Sequence, residues 1–100
     1  MKEFDFVVIG SGIAGLTFAL KAAKHGRVAI ITKRKGVDSN TAWAQGGVAC
    51  VTSSEDSFDL HIRDTLEAGA GLCDPLVVET VVKEGPERVR ELEAWGALFD

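Results

Sequence analysis

Val7-Val8-Ile9-Gly10-Ser11-Gly12-Ile13-Ala14-Gly15 is the stretch that decides the fold of this chain. An apolar strand runs directly into Gly-x-Gly-x-x-Gly, and a helical pattern follows at once. Each glycine has a mechanical task. Gly10 permits the tight turn off the strand, Gly12 lets backbone approach a pyrophosphate, and Gly15 lets the helix lie close to the sheet. The helix then presents free N–H groups and its positive dipole end to an anion. The pattern implies a dinucleotide grip at the start of the chain.

Working outward, residues 4–9 are expected to form a parallel strand covered on both faces, because the run is nearly continuous in apolar residues. Residues 13–25 read as the first helix. Its stripe is Ile13, Leu16, Thr17, Leu20 and Ala23 or Lys24, its small residues allow close packing, and Gly26 is the left-handed cap. Residues 27–32 (Arg-Val-Ala-Ile-Ile-Thr) form the second strand, completing a right-handed βαβ unit. Residues 33–47 read as a long polar loop, which in a compact domain signals function or disorder. Trp43 within it argues for order. Ser57 to Ala68 reads as a helix with Asp56 or Ser57 as cap. Asp74-Pro75 opens another through Lys83, with Leu76, Val77 and Val81 inward. Gly85-Pro86 ends that helix and starts one more, which Gly96 stops. The fold class is therefore α/β, a Rossmann-like βαβ unit of a parallel sheet followed by helices. Residues 1–100 are expected to form the N-terminal part of a single nucleotide-binding domain, incomplete at residue 100.

The bulk composition suits a globular protein. The 100 residues are 46% hydrophobic and 26% charged, with a formal net charge of −4. That balance argues against nucleic acid as a partner, since the one cationic cluster, Lys33-Arg34-Lys35, is short. No signal peptide or membrane span is legible. Cys50 and Cys73 stand far apart, which suits a reducing, cytoplasmic location. No metal-ligand spacing occurs. His25, His61 and the glutamates read as solvated.

The residues leave the identity of the dinucleotide open. An Asp or Glu at the end of the second strand would hold an NAD ribose, but Thr32-Lys33 stands there. A lysine could meet the 2′-phosphate of NADP or the adenosine end of FAD.

A resemblance narrows the choice. Ser39-Asn40-Thr41-Ala42-Trp43-Ala44-Gln45-Gly46-Gly47 closely resembles the segment after the second strand in the succinate dehydrogenase and fumarate reductase flavoprotein superfamily. Asp64 to Asp74, and the ending Gly96-Ala97-Leu98-Phe99-Asp100, resemble its L-aspartate oxidase branch, and the likeness covers essentially all 100 residues. It implies FAD as cofactor. The contacts it implies are Gly10, Ser11, Gly12, Ile13, Ala14 and Gly15 at the pyrophosphate turn, and Lys33 at the adenosine end. Asn40, Thr41, Ala42, Trp43, Ala44, Gln45, Gly46 and Gly47 would lie beside pyrophosphate and flavin. Membrane-complex members hold FAD covalently through a histidine that aligns with Asn40. An amide cannot make that bond, so the resemblance implies non-covalent FAD.

The implied activity is oxidation of L-aspartate to iminoaspartate by hydride transfer to the flavin. Dioxygen (giving hydrogen peroxide) or fumarate (giving succinate) is the acceptor. The product would feed quinolinate and NAD formation, linking the protein functionally to quinolinate synthase. The family's substrate-handling histidines and arginines lie further along than this chain reaches, so no residue here is assigned a catalytic role. The alternatives are another soluble flavoprotein such as a fumarate reductase, or a nucleotide-binding fragment without activity.

Overall fold

The computed structural model describes residues 1–33, 39–44 and 46–99. The chain divides into two compact units, Met1–Gly46 and Gly47–Asp100.

The first unit is the βαβ. Strand β1 (Phe6–Ile9) and strand β2 (Val28–Ile31) pair in parallel, with Phe6 opposite Val28 and Ile9 opposite Ile31. Helix α1 (Ile13–Ala22) connects them. The ladder extends past both ends. The Gly10 amide donates to the Ile31 carbonyl at 2.8 Å, and the Asp5 amide donates to the Arg27 carbonyl at 2.9 Å. The Asp5 carboxylate accepts from the Arg27 amide at 2.8 Å. Gly26 is needed there for space, since a Cβ would stand 2.6 Å from Asp5 Oδ2. Its φ is not positive, and α1 ends instead at Ala23 in the right-handed region, so the expected left-handed cap does not form.

The packing corrects two further expectations. In this unit β1 is covered on one face only: Val8 is 8% exposed, Ile9 85%. The α1 face turned inward is Ala19 and Ala22, whereas Ile13, Leu16 and Leu20 are exposed. The cause lies at Gly15. A Cβ there would fall 2.4 Å from the Gly10 carbonyl oxygen and 3.3 Å from Val8 Cγ1. A helix held that close to its strand accommodates methyl groups and no larger side chain on the contact face. Phe18 reaches back over the edge to meet Phe6 edge-on, with centroids 6.4 Å apart. The 33–47 segment, expected to be irregular, contains one helical turn, α2 (Asn40–Trp43). Ser39 caps it, its hydroxyl accepting from the Ala42 amide at 3.2 Å.

The second unit is a helical hairpin of α3 (Phe58–Ala68) and α4 (Pro75–Ala94). Ser57 is the cap of α3, accepting from the Leu60 amide at 3.1 Å. Asp74 caps α4, accepting from the Leu76 amide at 2.9 Å and the Val77 amide at 3.3 Å. In the connection, Ala70 (φ 50°) and Gly71 (φ 87°) turn the chain in the left-handed region. Gly69 leaves room for Cys73, whose thiol lies 3.7 Å from the Thr65 carbonyl oxygen.

The expected break at Gly85-Pro86 is absent, and α4 runs through it as one helix. Pro86 removes an amide and ordinarily costs about 3 kcal/mol inside a helix. Burial offsets this: Val82 and Pro86 are both buried, and Gly85 faces Cys50, where a Cβ would lie 3.4 Å from the cysteine Cβ. One continuous helix also sets one phase. The inward stripe is Val78, Val82, Pro86 and Val89, while Leu76, Val77 and Val81 are exposed. At the other end, Gly96 (φ 103°) stops α4 as expected. The Ala97 amide donates to the Leu92 carbonyl and the Gly96 amide to the Glu93 carbonyl, a Schellman closure.

Candidate functional site: the turn between strand and helix

The C-terminal end of β1, the N-terminus of α1 and the α2 turn meet in the first unit. Gly10 (φ 105°) makes the turn off the strand, a conformation that L side chains resist. Gly12 occupies the N-cap of α1 and has no side chain to satisfy the helix amides. The first amides of any helix have no intrahelical partner. One of these is met by the protein itself, because the Ile13 amide donates to Thr41 Oγ1 at 3.0 Å across 28 positions of sequence. Ala14 is exposed beside it.

Ser11 is 7% exposed, and its hydroxyl donates to Thr32 Oγ1 at 3.2 Å. That bond ties the turn to the end of β2. The Ser11 side chain thus faces the protein, and what the turn presents outward at this position is backbone. Lys33 lies exposed just beyond β2. Asn40, Thr41, Ala42, Trp43 and Ala44 are all exposed, with Trp43 at 76%. Gly46 has φ 130°, and no atom of the other described residues lies within 4 Å of where a Cβ would be, its chain neighbours aside. Gln45 lies outside the described residues. Gly47 begins the second unit, and among the described residues no atom beyond its chain neighbours lies within 4 Å of the place of a Cβ.

Of the expected site residues, the structure gathers Gly10 to Gly15 with Thr41 and its helical turn. Two contributors escaped the sequence reading. Thr32 holds Ser11, and Ser39 shapes the turn that carries Thr41. Ser39 did carry a signal, a cap residue just ahead of Asn40-Thr41-Ala42-Trp43.

The glycines test whether this cradle fits a dinucleotide. Gly15 is demanded by the protein's own packing. Gly12 is not: its φ of −75° suits any residue, and among the described residues a Cβ would meet only Thr41 Oγ1 at 3.5 Å, ordinary contact. A glycine that the fold does not need, at the N-cap position of a helix, matches backbone that receives a phosphate closely. The residues fit such a group. Among the described residues no cluster of His, Cys, Asp or Glu could hold a metal ion, and no helix is long and apolar enough to cross a membrane.

Comparison with known proteins agrees with this geometry. An L-aspartate oxidase of Nicotiana tabacum (2-a, chloroplastic) is 60% identical over 99 residues, which are 99% of this chain and 15% of that protein. The L-aspartate oxidase of Streptomyces coelicolor is 52% identical over 97 residues, 96% of this chain and 17% of that one. The chain therefore spans only about a sixth of the length of these relatives. Among solved structures, E. coli quinol fumarate reductase FrdA, studied as a point mutant, superposes with a TM-score of 0.85 at 38% identity, covering 93% of this chain and 16% of that one. The Mycobacterium smegmatis Sdh1 complex in its apo form gives 0.86 at 40% identity, covering 97% and 17%. The family described as FAD binding domain matches residues 5–100. The chain belongs to that FAD binding domain family, and FAD is its cofactor.

Proposed function

We propose that this chain forms the nucleotide grip of an enzyme that oxidises L-aspartate to iminoaspartate, with dioxygen or fumarate as the electron acceptor. Residues 1–100 would be the N-terminal part of its FAD-binding domain. The observation that carries the reading is the Ile13–Thr41 bond, which brings the glycine turn and the Asn40–Trp43 segment to one place. The identity of 45–60% to proteins named L-aspartate oxidase supports the substrate.

In this reading the backbone of Ser11, Gly12 and Ala14 receives the pyrophosphate, and Ile13 lies beside it with its amide kept by Thr41 Oγ1. Gly10 and Gly15 shape the turn, Lys33 meets the adenosine end, and Asn40 to Ala44 with Gly46 line the flavin side. Asn40 in place of a histidine leaves FAD held without a covalent bond. FAD, when bound, supplies the two-electron acceptor, and the protein's share is to hold and orient it. Iminoaspartate would pass to quinolinate synthase on the way to NAD. Two free cysteines support a reducing compartment, the cytoplasm in this proposal.

The test uses the intact protein. Yellow colour released into the supernatant on acid precipitation, with hydrogen peroxide formed on adding L-aspartate, is the expected result. Colour kept in the pellet would refute the Asn40 assignment. Exchange between succinate and fumarate without aspartate turnover would replace the oxidase by a fumarate reductase.

A further inference from the structure

Thr41 stands apart from the other residues of its segment. Its hydroxyl oxygen accepts from Ile13 N, the first amide of α1, at 3.0 Å. The same oxygen is the nearest atom to the place a side chain on Gly12 would take. Gly12 has no side chain of its own to cap the helix. Thr41 therefore does the work of an N-cap side chain from 28 positions away. The turn that carries it is separately braced: Ser39 Oγ accepts from the Ala42 amide at 3.2 Å, and the Trp43 amide donates to the Ser39 carbonyl at 3.2 Å.

We infer that Thr41 is a positioning residue, which closes residues 39–44 onto the α1 turn before the cofactor arrives. FAD then meets both walls of its cradle already assembled. The inference rests on the FAD reading for what the cradle holds, but the tie itself is a contact within the protein. Its effect follows from how binding energy is spent. A loop that must be ordered by the ligand draws on the ligand's affinity, and a loop ordered beforehand does not. A hydroxyl that accepts an amide also keeps its own hydrogen to donate. Thr41 can thus hold the turn and still serve whatever the turn faces. The residues around the bond are exposed, so the tie is worth one ordinary hydrogen bond and no more.

Thr41→Val and Thr41→Ser in the intact protein separate hydroxyl from shape. Hydrogen exchange at the amides of residues 39–44 is followed in protein prepared without FAD, and FAD binding is followed by the change in flavin fluorescence. Thr41→Val should speed exchange in that segment about fivefold, slow FAD association and raise its Kd about five- to tenfold. Thr41→Ser should stay close to the parent in all three. Unchanged exchange in Thr41→Val would overturn the inference even if affinity fell, since Thr41 would then act on the ligand alone. So would a Thr41→Ser protein as impaired as Thr41→Val, because the methyl and not the hydroxyl would be at work. Failure of the parent protein to bind FAD would sink the cofactor reading. The exchange comparison would still decide the tie.

Discussion

A side chain on Gly15 would stand 2.4 Å from the carbonyl oxygen of Gly10. Two glycines of one motif are thus in mutual contact, one making the turn and the other admitting it beneath the helix. The neighbour is backbone and cannot swing away. Gly15→Ala should therefore force α1 off β1 and destabilise the protein by about 1–3 kcal/mol. The melting temperature measures it. An unchanged melting point would mean that the helix does not lie this close.

Gly12→Ala should behave in the opposite way. Among the described residues, a Cβ at position 12 would meet only Thr41 Oγ1, at 3.5 Å. Stability without FAD should change by less than about 1 kcal/mol, the scale of an N-cap exchange. FAD affinity should fall at least about tenfold, or about 1.4 kcal/mol, if the phosphate approaches this backbone as proposed, because the methyl would stand in its way. Thermal melts and flavin titration on the same sample check both halves. Full retention of FAD would show that this glycine faces no ligand.

Ala70 holds φ 50°, the one described non-glycine residue in the left-handed region. That conformation costs an L residue about 1–2 kcal/mol. Ala70→Gly should relieve it, less the roughly 0.4–1 kcal/mol of added freedom in the unfolded chain. The net effect is neutral to slightly stabilising in a urea titration. Ala70→Val, with its branched Cβ, should be clearly destabilising, and equal midpoints for the two variants would contradict the assigned backbone.

Lys83 and Glu79 pair one turn apart on α4. The hydrogen bond that Lys83 donates to the Glu79 carboxylate, and then the charge of that carboxylate, hold the Lys83 ammonium above the ordinary lysine range. A folded-state pKa above the unfolded one means stabilisation that is complete at neutral pH. It is lost as pH rises through the folded value. Glu79→Gln should thus lower stability slightly at neutral pH and leave it level with the parent in strong alkali. The difference is small because both side chains are about half exposed. Urea midpoints across the alkaline range test it, and a gap that persists at the highest pH would assign Glu79 some other role.

Much of this was readable beforehand because it is local. Gly10 reads as a tight turn and Gly96 as a helix stop, and both hold positive φ there. Ser57, Asp74-Pro75 and the strand residues declare helix starts and sheet through their own side chains. The errors share a different cause. Gly85-Pro86 looks like a stop because its local cost is visible and the burial of Val82 and Pro86 that offsets it is not. Once the helix runs on, its phase shifts the inward face from Leu76, Val77 and Val81 to Val78 and Val82. On α1, large apolar residues looked like the contact face. Gly15 sets a separation that only Ala19 and Ala22 can occupy.

The amino-acid order alone determined the βαβ with its glycine turn, the helix caps and the chemistry the turn can offer. These depend on neighbours within a few residues, where geometry is set by covalent reach. Which side chains serve the fold and which are left for a ligand was decided only in three dimensions. Ser11 turned to Thr32, Thr41 came to Ile13, and Gly12 was left without a packing reason to be glycine. Each of these depends on groups about 20 to 30 positions apart that approach only once the helix has packed on the strands.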